Sequence, residues 1–277
     1  MPHEPDLHIT AIDSHAHVFS RGLAMAQERR YAPDYDAPLA EYLGQLLAHG
    51  FSHGVLVQPS FLGTDNSYLL AALQAAPGQL RGVVMVEPNV QRETLDAMAR
   101  LGVRGVRLNL MGQALPDFST GAWRQLFQRI GEQGWHLELH RHVADIPALV
   151  RGLQPYGLDL VIDHFGRPDA RQGLGQPGFA ELLTLGGLGN VWVKVSGIYR
   201  LEGSPQQNLA FARQALGALE AHFGAERLMW GSDWPHTQHE AGVGFASVVG
   251  QFDALGCAAP LRQALLVDTA QRLFGFD

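Results

Sequence analysis

The chain has 277 residues, 46% of them hydrophobic and 17% charged, which is long enough for a core without a disulfide or metal staple and too apolar for a disordered chain. Twenty Lys and Arg against twenty-seven Asp and Glu leave a net charge of -7, so no general attraction draws it to nucleic acid or an anionic membrane. The lone Cys257 excludes an intrachain disulfide; MPHEPDLHIT lacks a basic and apolar leader and no run of eighteen apolar residues follows, so the expected location is the cytoplasm.

Short runs rich in Val, Ile and Leu alternate with longer amphipathic stretches, as a parallel sheet with covering helices requires. The pattern predicts strands at Leu7–Asp13, Gly54–Gln58, Arg81–Val86, Gly105–Asn109, His136–His140, Leu158–Asp163, Val191–Val195 and Leu228–Gly231. Between them it predicts helices at Pro38–Ala48, Asn66–Ala75, Gln91–Leu101, Ala122–Gln133, Ile146–Gln154, Phe179–Leu185 and Gln207–Phe223, with a last one at Pro260–Phe274. Pro38 and Gly50 are ordinary helix-boundary residues. No Gly/Ser- or Pro-rich linker divides the chain, so residues 1–277 are expected to form a single domain. Eight strand–helix units fit an α/β fold of the (β/α)8 barrel type, whose chemistry sits at the C-terminal strand ends. A doubly wound open sheet is the alternative, and it accounts less well for polar groups at the ends of nearly every strand.

Those groups define the expected site. In IDSHAHVFS, His15 and His17 are two positions apart, so an extended segment turns both imidazoles the same way. Asp233 in MWGSDWPHT follows the last strand, where a carboxylate tuned by burial can take a proton from water; His236 ranks below it. In LVIDHFGRPD, alternation sends Asp163 and His164 to opposite sides, with His164 the better donor to a developing oxyanion and Asp163 a brace. Arg107 ends strand four and can grip a carboxylate in two-pronged fashion; Arg200, Tyr31 and Ser60 add further donors. Each has a bland reading too: loop caps for the histidines, loop scaffolding for Asp233, an aromatic loop contact for Tyr31, a surface position for Arg200. His15, His17, His164 and Asp233 are chemically able to hold one divalent metal ion. The strand-four and strand-five segments GVRLNL and HLELHR contain no lysine to bridge two. Trp123, Trp135 and Trp192 read as core, the Gly-rich stretch at residues 172–178 lacks a phosphate-loop pattern, and Cys257 has no nucleophilic context.

The combination DSHAHVF, VQPSFLGTDN, GVRLNL, VIDHFGRPD, WVKVSG and GSDWPHT resembles the amidohydrolase superfamily. Within it, the chain is similar to the amidohydrolase-2 branch that opens carboxylated lactones such as 2-pyrone-4,6-dicarboxylate. The resemblance spans nearly the whole chain and implies a (β/α)8 barrel that hydrolyses a lactone without a required metal cofactor. It assigns water activation to Asp233 and carbonyl orientation to His15, His17 and His164. Arg107, Arg200, Tyr31 and Ser60 would hold the anionic groups of a small carboxylated lactone. Two positions depart from that pattern: Gln113 stands where a second arginine is expected and His140 where an aromatic alcohol is expected. Glutamine donates a hydrogen bond but carries no charge, so the expected substrates are mono- or dicarboxylated lactones as a class. A mononuclear metal-dependent lactonase, a decarboxylase on the same barrel, and a noncatalytic small-acid binding protein stay open, as does monomer against homo-oligomer.

Overall fold

The computed structural model describes residues 8–277. Eight parallel strands form one sheet in chain order: β1 (Ile12–Ala16), β2 (His53–Val57), β3 (Leu80–Val84), β4 (Val103–Asn109), β5 (His136–His140), β6 (Leu160–Ile162), β7 (Val191–Ser196) and β8 (Leu228–Gly231). Around them lie α1 (Leu39–Ala48), α2 (Ser67–Ala75), α3 (Arg92–Arg100), α4 (Gly121–Glu132), α5 (Ile146–Leu153), α6 (Phe179–Thr184), α7 (Pro205–Phe223), α8 (Phe245–Asp253), α9 (Ala259–Gln263) and α10 (Thr269–Phe274). The sheet curls until β8 meets β1, giving the α/β barrel expected from the alternating pattern.

The seam is held by polar atoms. His17 N donates to Trp234 O and Asp233 N to His15 O, both at 2.7 Å. The Asp13 carboxylate receives Ser232 N at 2.7 Å, Ser232 Oγ at 2.5 Å and the Tyr42 hydroxyl at 3.1 Å. Burial pushes the Asp13 pKa up to about 6 against those bonds, so it is a latch within the wall. Gly231 allows the close approach: a Cβ there would lie 2.7 Å from His15 Cβ and 2.9 Å from His15 N. Gly231→Ala is therefore expected to destabilise the barrel by about 1–3 kcal/mol, the usual cost of overpacking, read as a lower urea midpoint. An unchanged midpoint would show that the seam can yield.

Local signals set the helices. α7 opens on a reciprocal cap, with Gln207 N on Ser204 Oγ at 3.3 Å and Ser204 N on Gln207 Oε1 at 2.9 Å, and Pro205 in its first turn. Its buried face, Phe211, Ala212, Ala215, Leu216, Leu219 and Phe223, follows helical spacing and packs on the barrel. At the N-terminal end of the strands, Phe274 and Phe276 join Ile12, Val55, Val57, Val83, Val161 and Met229 in a second apolar cluster. Arg81 secures that plug through Nη2 to Gly275 O at 2.7 Å and a position 4.6 Å above the Phe276 ring. Chemistry is left to the opposite end.

Most boundaries move by a residue or two from the sequence expectation, and the larger departures fall at the first strand, β6 and the C-terminal helices. The first strand is Ile12–Ala16 rather than Leu7–Asp13, so His15 lies within it; Leu7 falls outside the described residues. IDSHA can be a fully buried strand because its polar groups find partners across the seam. β6 has three residues, not six, so Asp163 lies beyond the strand. The last predicted helix is broken by a wide π-helical turn at Ala264–Asp268, and α8 precedes it unforeseen, its periodicity diluted by Val249 and Gly250. Among the described residues no helix is long and apolar enough to cross a membrane.

Candidate active site

The C-terminal strand ends bring Asp233, His15, His17 and His164 into one buried group. His15 on β1 and His17 just past its end have rings 5.0 Å apart, and the His164 ring lies 4.8 Å from that of His15. Asp233 follows β8 at φ 59, a left-handed conformation that Asp and Asn tolerate better than most residues. Its Oδ1 faces His17 Nε2 at 3.5 Å and His15 Nε2 at 3.9 Å. Its Oδ2 accepts the Tyr199 hydroxyl at 2.7 Å and the Arg200 Nε. Burial works to raise the Asp233 pKa, but Arg200 and the neighbouring imidazoles outweigh it, leaving the carboxyl ionised well below the usual range. One oxygen is thus held by Arg200 and Tyr199 and the other faces the imidazoles of His15 and His17.

The imidazoles have distinct protonation patterns. His17 Nδ1 lies 2.7 Å from the Val57 carbonyl, which can only accept, so Nδ1 carries a hydrogen and the matching neutral tautomer has its lone pair at Nε2. Burial, then Lys194, takes the His15 pKa well below its ordinary value, so the ring is neutral. Its Nδ1 is 3.1 Å from the Lys194 ammonium, a pure donor, which leaves hydrogen on Nε2; Asp163 Oδ1 is farther, at 3.4 Å. That Nε2 has no partner among the described residues. Burial brings His164 down to about 3, and its Nδ1 meets Ser196 Oγ at 2.8 Å.

Asp163 and His164 do not diverge as strand alternation predicted. The chain leaves β6 at Ile162 and turns through two left-handed residues, His164 at φ 51 and Phe165 at φ 56. Both side chains consequently reach the lumen, Asp163 toward His15 and His164 toward Asp233 at 3.9 Å.

Arg107 is sited at the mouth as expected, but its Nε and Nη2 donate to Asp163 Oδ2 at 3.1 and 2.9 Å, and Nη2 also meets His140 Nδ1 at 3.1 Å. Arg200 likewise faces the cavity while bound to Asp233 rather than lying on the surface. Burial, then Arg107, pulls the His140 pKa well below its ordinary value. Tyr31 lines the same cavity, its hydroxyl 2.5 Å from Glu240 Oε1, and so does Ser60. Gln113 does not: it lines an adjoining groove of 690 Å³. The inner cavity is 80 Å³ and shares Arg30, Ser60, Asn109 and Met111 with that groove.

Several participants escaped the sequence reading. Beneath the histidines, Lys194 on β7 and Glu138 on β5 form an ion pair with both side chains 0% exposed. Arg107 Nε lies 3.6 Å from the same carboxylate, so two cations and the two carboxylates of Glu138 and Asp163 balance within the lumen. A single charge inside each apolar run, HLELH and VWVKVS, was the available signal. Arg30, Arg167 and Tyr199 come from loops, and no strand phase marked them.

His15, His17 and Asp233 place three ligand atoms within 4.8 Å of one another, as if to coordinate a divalent ion; His15, Asp163 and His164 do the same. The unpartnered His15 Nε2 and the lone pair on His17 Nε2 fit that use, provided the His15 hydrogen moves to Nδ1, facing Asp163.

A parallel barrel whose chemistry gathers His-x-His from the first strand, a histidine after the sixth and an aspartate after the eighth defines a hydrolase-type site of one family. The chain belongs to the amidohydrolase family, whose model matches residues 12–276. It is 32% identical to the 4-sulfomuconolactone hydrolase of Hydrogenophaga intermedia, over 95% of this chain and 88% of that one. It is 31% identical to the 2-pyrone-4,6-dicarboxylate hydrolase of Comamonas testosteroni, over 95% and 90%. A crystal structure from Pseudomonas putida, provisionally assigned as a 2-pyrone-4,6-dicarboxylic acid hydrolase, is 78% identical with a TM-score of 0.94, covering 98% of this chain and 99% of that one.

Proposed function

We propose that this chain is a carboxylic ester hydrolase that opens a carboxylated lactone, 2-pyrone-4,6-dicarboxylate or a close chemical relative, in the cytoplasm. One observation carries the reading: Asp233 has one oxygen fixed by Arg200 and Tyr199 and the other facing two histidines at the floor of an arginine-lined cavity. The activities of the two curated hydrolases support the substrate class.

Water in front of Asp233 gives one hydrogen to Oδ1 and the other to the lone pair of His17 Nε2, which aims its oxygen at the ester carbonyl. Addition produces a tetrahedral oxyanion, and the His15 Nε2–H, with His164 beside it, meets the new charge among buried side chains. Collapse breaks the ring C–O bond, and Asp233 returns its proton to the leaving oxygen. An acidic group of the substrate drawn to Arg200 offsets the guanidinium charge on Asp233 and restores basicity to a carboxylate otherwise held low. Arg107, Tyr31, Ser60 and His140 complete the wall that orients the ring. A divalent ion held by His15, His17 and Asp233 would supply Lewis-acid polarisation of the same carbonyl.

A panel of carboxylated lactones followed by mass spectrometry, on protein of measured metal content, tests this. The expected product is heavier by one water, and the rate is expected to survive chelation to within a factor of two. Loss of carbon dioxide would reassign the chemistry to decarboxylation. Abolition by chelator, with recovery on adding zinc, would give the three-residue cluster to a catalytic ion.

A further inference from the structure

The four arginines at the barrel mouth are not equivalent. Arg107 is paired with Asp163, Arg200 with Asp233, and Arg167 with Glu202 at 3.2 Å. Arg30, carried on the loop between β1 and α1, has no carboxylate partner among the described residues. Its side chain there makes one hydrogen bond, Nη2 to the neutral Asn109 Oδ1 at 3.3 Å. Burial and then the like charges of Arg107 and Arg200 lower its pKa, so Arg30 meets a positive field on its inner side, while Glu28, Asp65 and Glu87 line the outer groove without pairing with it.

Its place matters as much as its charge. Arg30 borders both the inner cavity and the outer groove. Its Cδ packs over Gly112, where a Cβ would come within 3.4 Å, and φ at that glycine is +73. The 80 Å³ inner cavity has room for roughly three waters. A six-membered lactone with an acidic group at each end overfills it. With the reacting carbonyl over Asp233, the far end of such a ring can leave through the junction with the groove, which Arg30 lines together with Ser60, Asn109 and Met111. Gln113, the next residue after Gly112, adds no charge there.

We propose that Arg30 receives the second anionic group of the substrate, a carboxylate or a sulfonate, at the junction of cavity and groove, and so selects doubly acidic lactones over singly acidic ones. This deepens the lactone-hydrolase reading and rests on it for the word substrate; the anion site itself rests on the geometry alone.

The test compares wild type, Arg30→Gln and Arg30→Lys. Steady-state kinetics use 2-pyrone-4,6-dicarboxylate and 2-pyrone-6-carboxylate; calorimetric binding uses isophthalate and benzoate, which no hydrolase can open. For Arg30→Gln, KM for the dicarboxylate is expected to rise at least ten times more than KM for the monocarboxylate, with kcat for the dicarboxylate changed less than threefold and Arg30→Lys recovering part of the loss. Isophthalate binding should weaken at least tenfold more than benzoate binding. Equal effects on the mono- and diacids overturn the assignment, as does wild-type protein that binds isophthalate no better than benzoate. If wild type opens neither lactone, the hydrolase reading fails by itself, and the calorimetric arm still decides the role of Arg30.

Discussion

Asp233→Asn is expected to lower kcat/KM by about 10³-fold, the middle of the range for removing a general base, with the loss falling on kcat. The substitution is close to isosteric, and asparagine accepts the left-handed backbone that Asp233 adopts at φ 59, so the fold should persist. Asparagine can still accept from Arg200 and Tyr199, but it cannot take a proton from water. Steady-state kinetics with circular dichroism of both proteins settle the matter. Turnover within tenfold of wild type would remove Asp233 from the water-activating role.

Lys194→Met is the substitution expected to cost most in stability, about 3–5 kcal/mol, because it strips the ammonium from a carboxylate buried at 0% exposure. His15 Nδ1 at 3.5 Å, Arg107 at 3.6 Å and His136 at 3.8 Å are the other nitrogen groups near Glu138, and none replaces a direct ion pair. Adding Glu138→Gln to Lys194→Met removes the stranded charge and is expected to regain much of the loss. Urea denaturation of the single and double variants measures both steps. A single variant within 1 kcal/mol of wild type, or a double variant less stable than the single, would contradict this account of the lumen. Lys194→Met also removes the donor to His15 Nδ1, so its kcat should fall even in the folded fraction.

Which side chains gather at the barrel mouth was largely legible in sequence, and their commitments there were not. His15 and His17 share one phase of the first strand and its end, and His164 and Asp233 follow apolar runs, so in an eight-unit barrel phase and position suffice to gather them. Arg107 and Arg200 were legible as mouth arginines, yet whether each guanidinium is free or held depends on Asp163 and Asp233, which lie 56 and 33 residues away in sequence. Asp163 itself was misread because strand alternation stops applying once two consecutive left-handed residues redirect the chain. Arg30 carried no signal at all: an arginine in a polar loop looks the same whether it waves in solvent or roofs a cavity.

The alternating pattern determined the order of the eight strands, favoured their closure into a barrel, and marked the end of it that carries polar groups. These are local properties: each apolar run must bury, and each crossover helix returns the chain in the same direction. Tertiary structure alone decided which carboxylate neutralises which cation, which imidazole nitrogen keeps its hydrogen, and which arginine is left without a partner. Those outcomes depend on distances of 3–4 Å between groups far apart in sequence, where burial magnifies every charge.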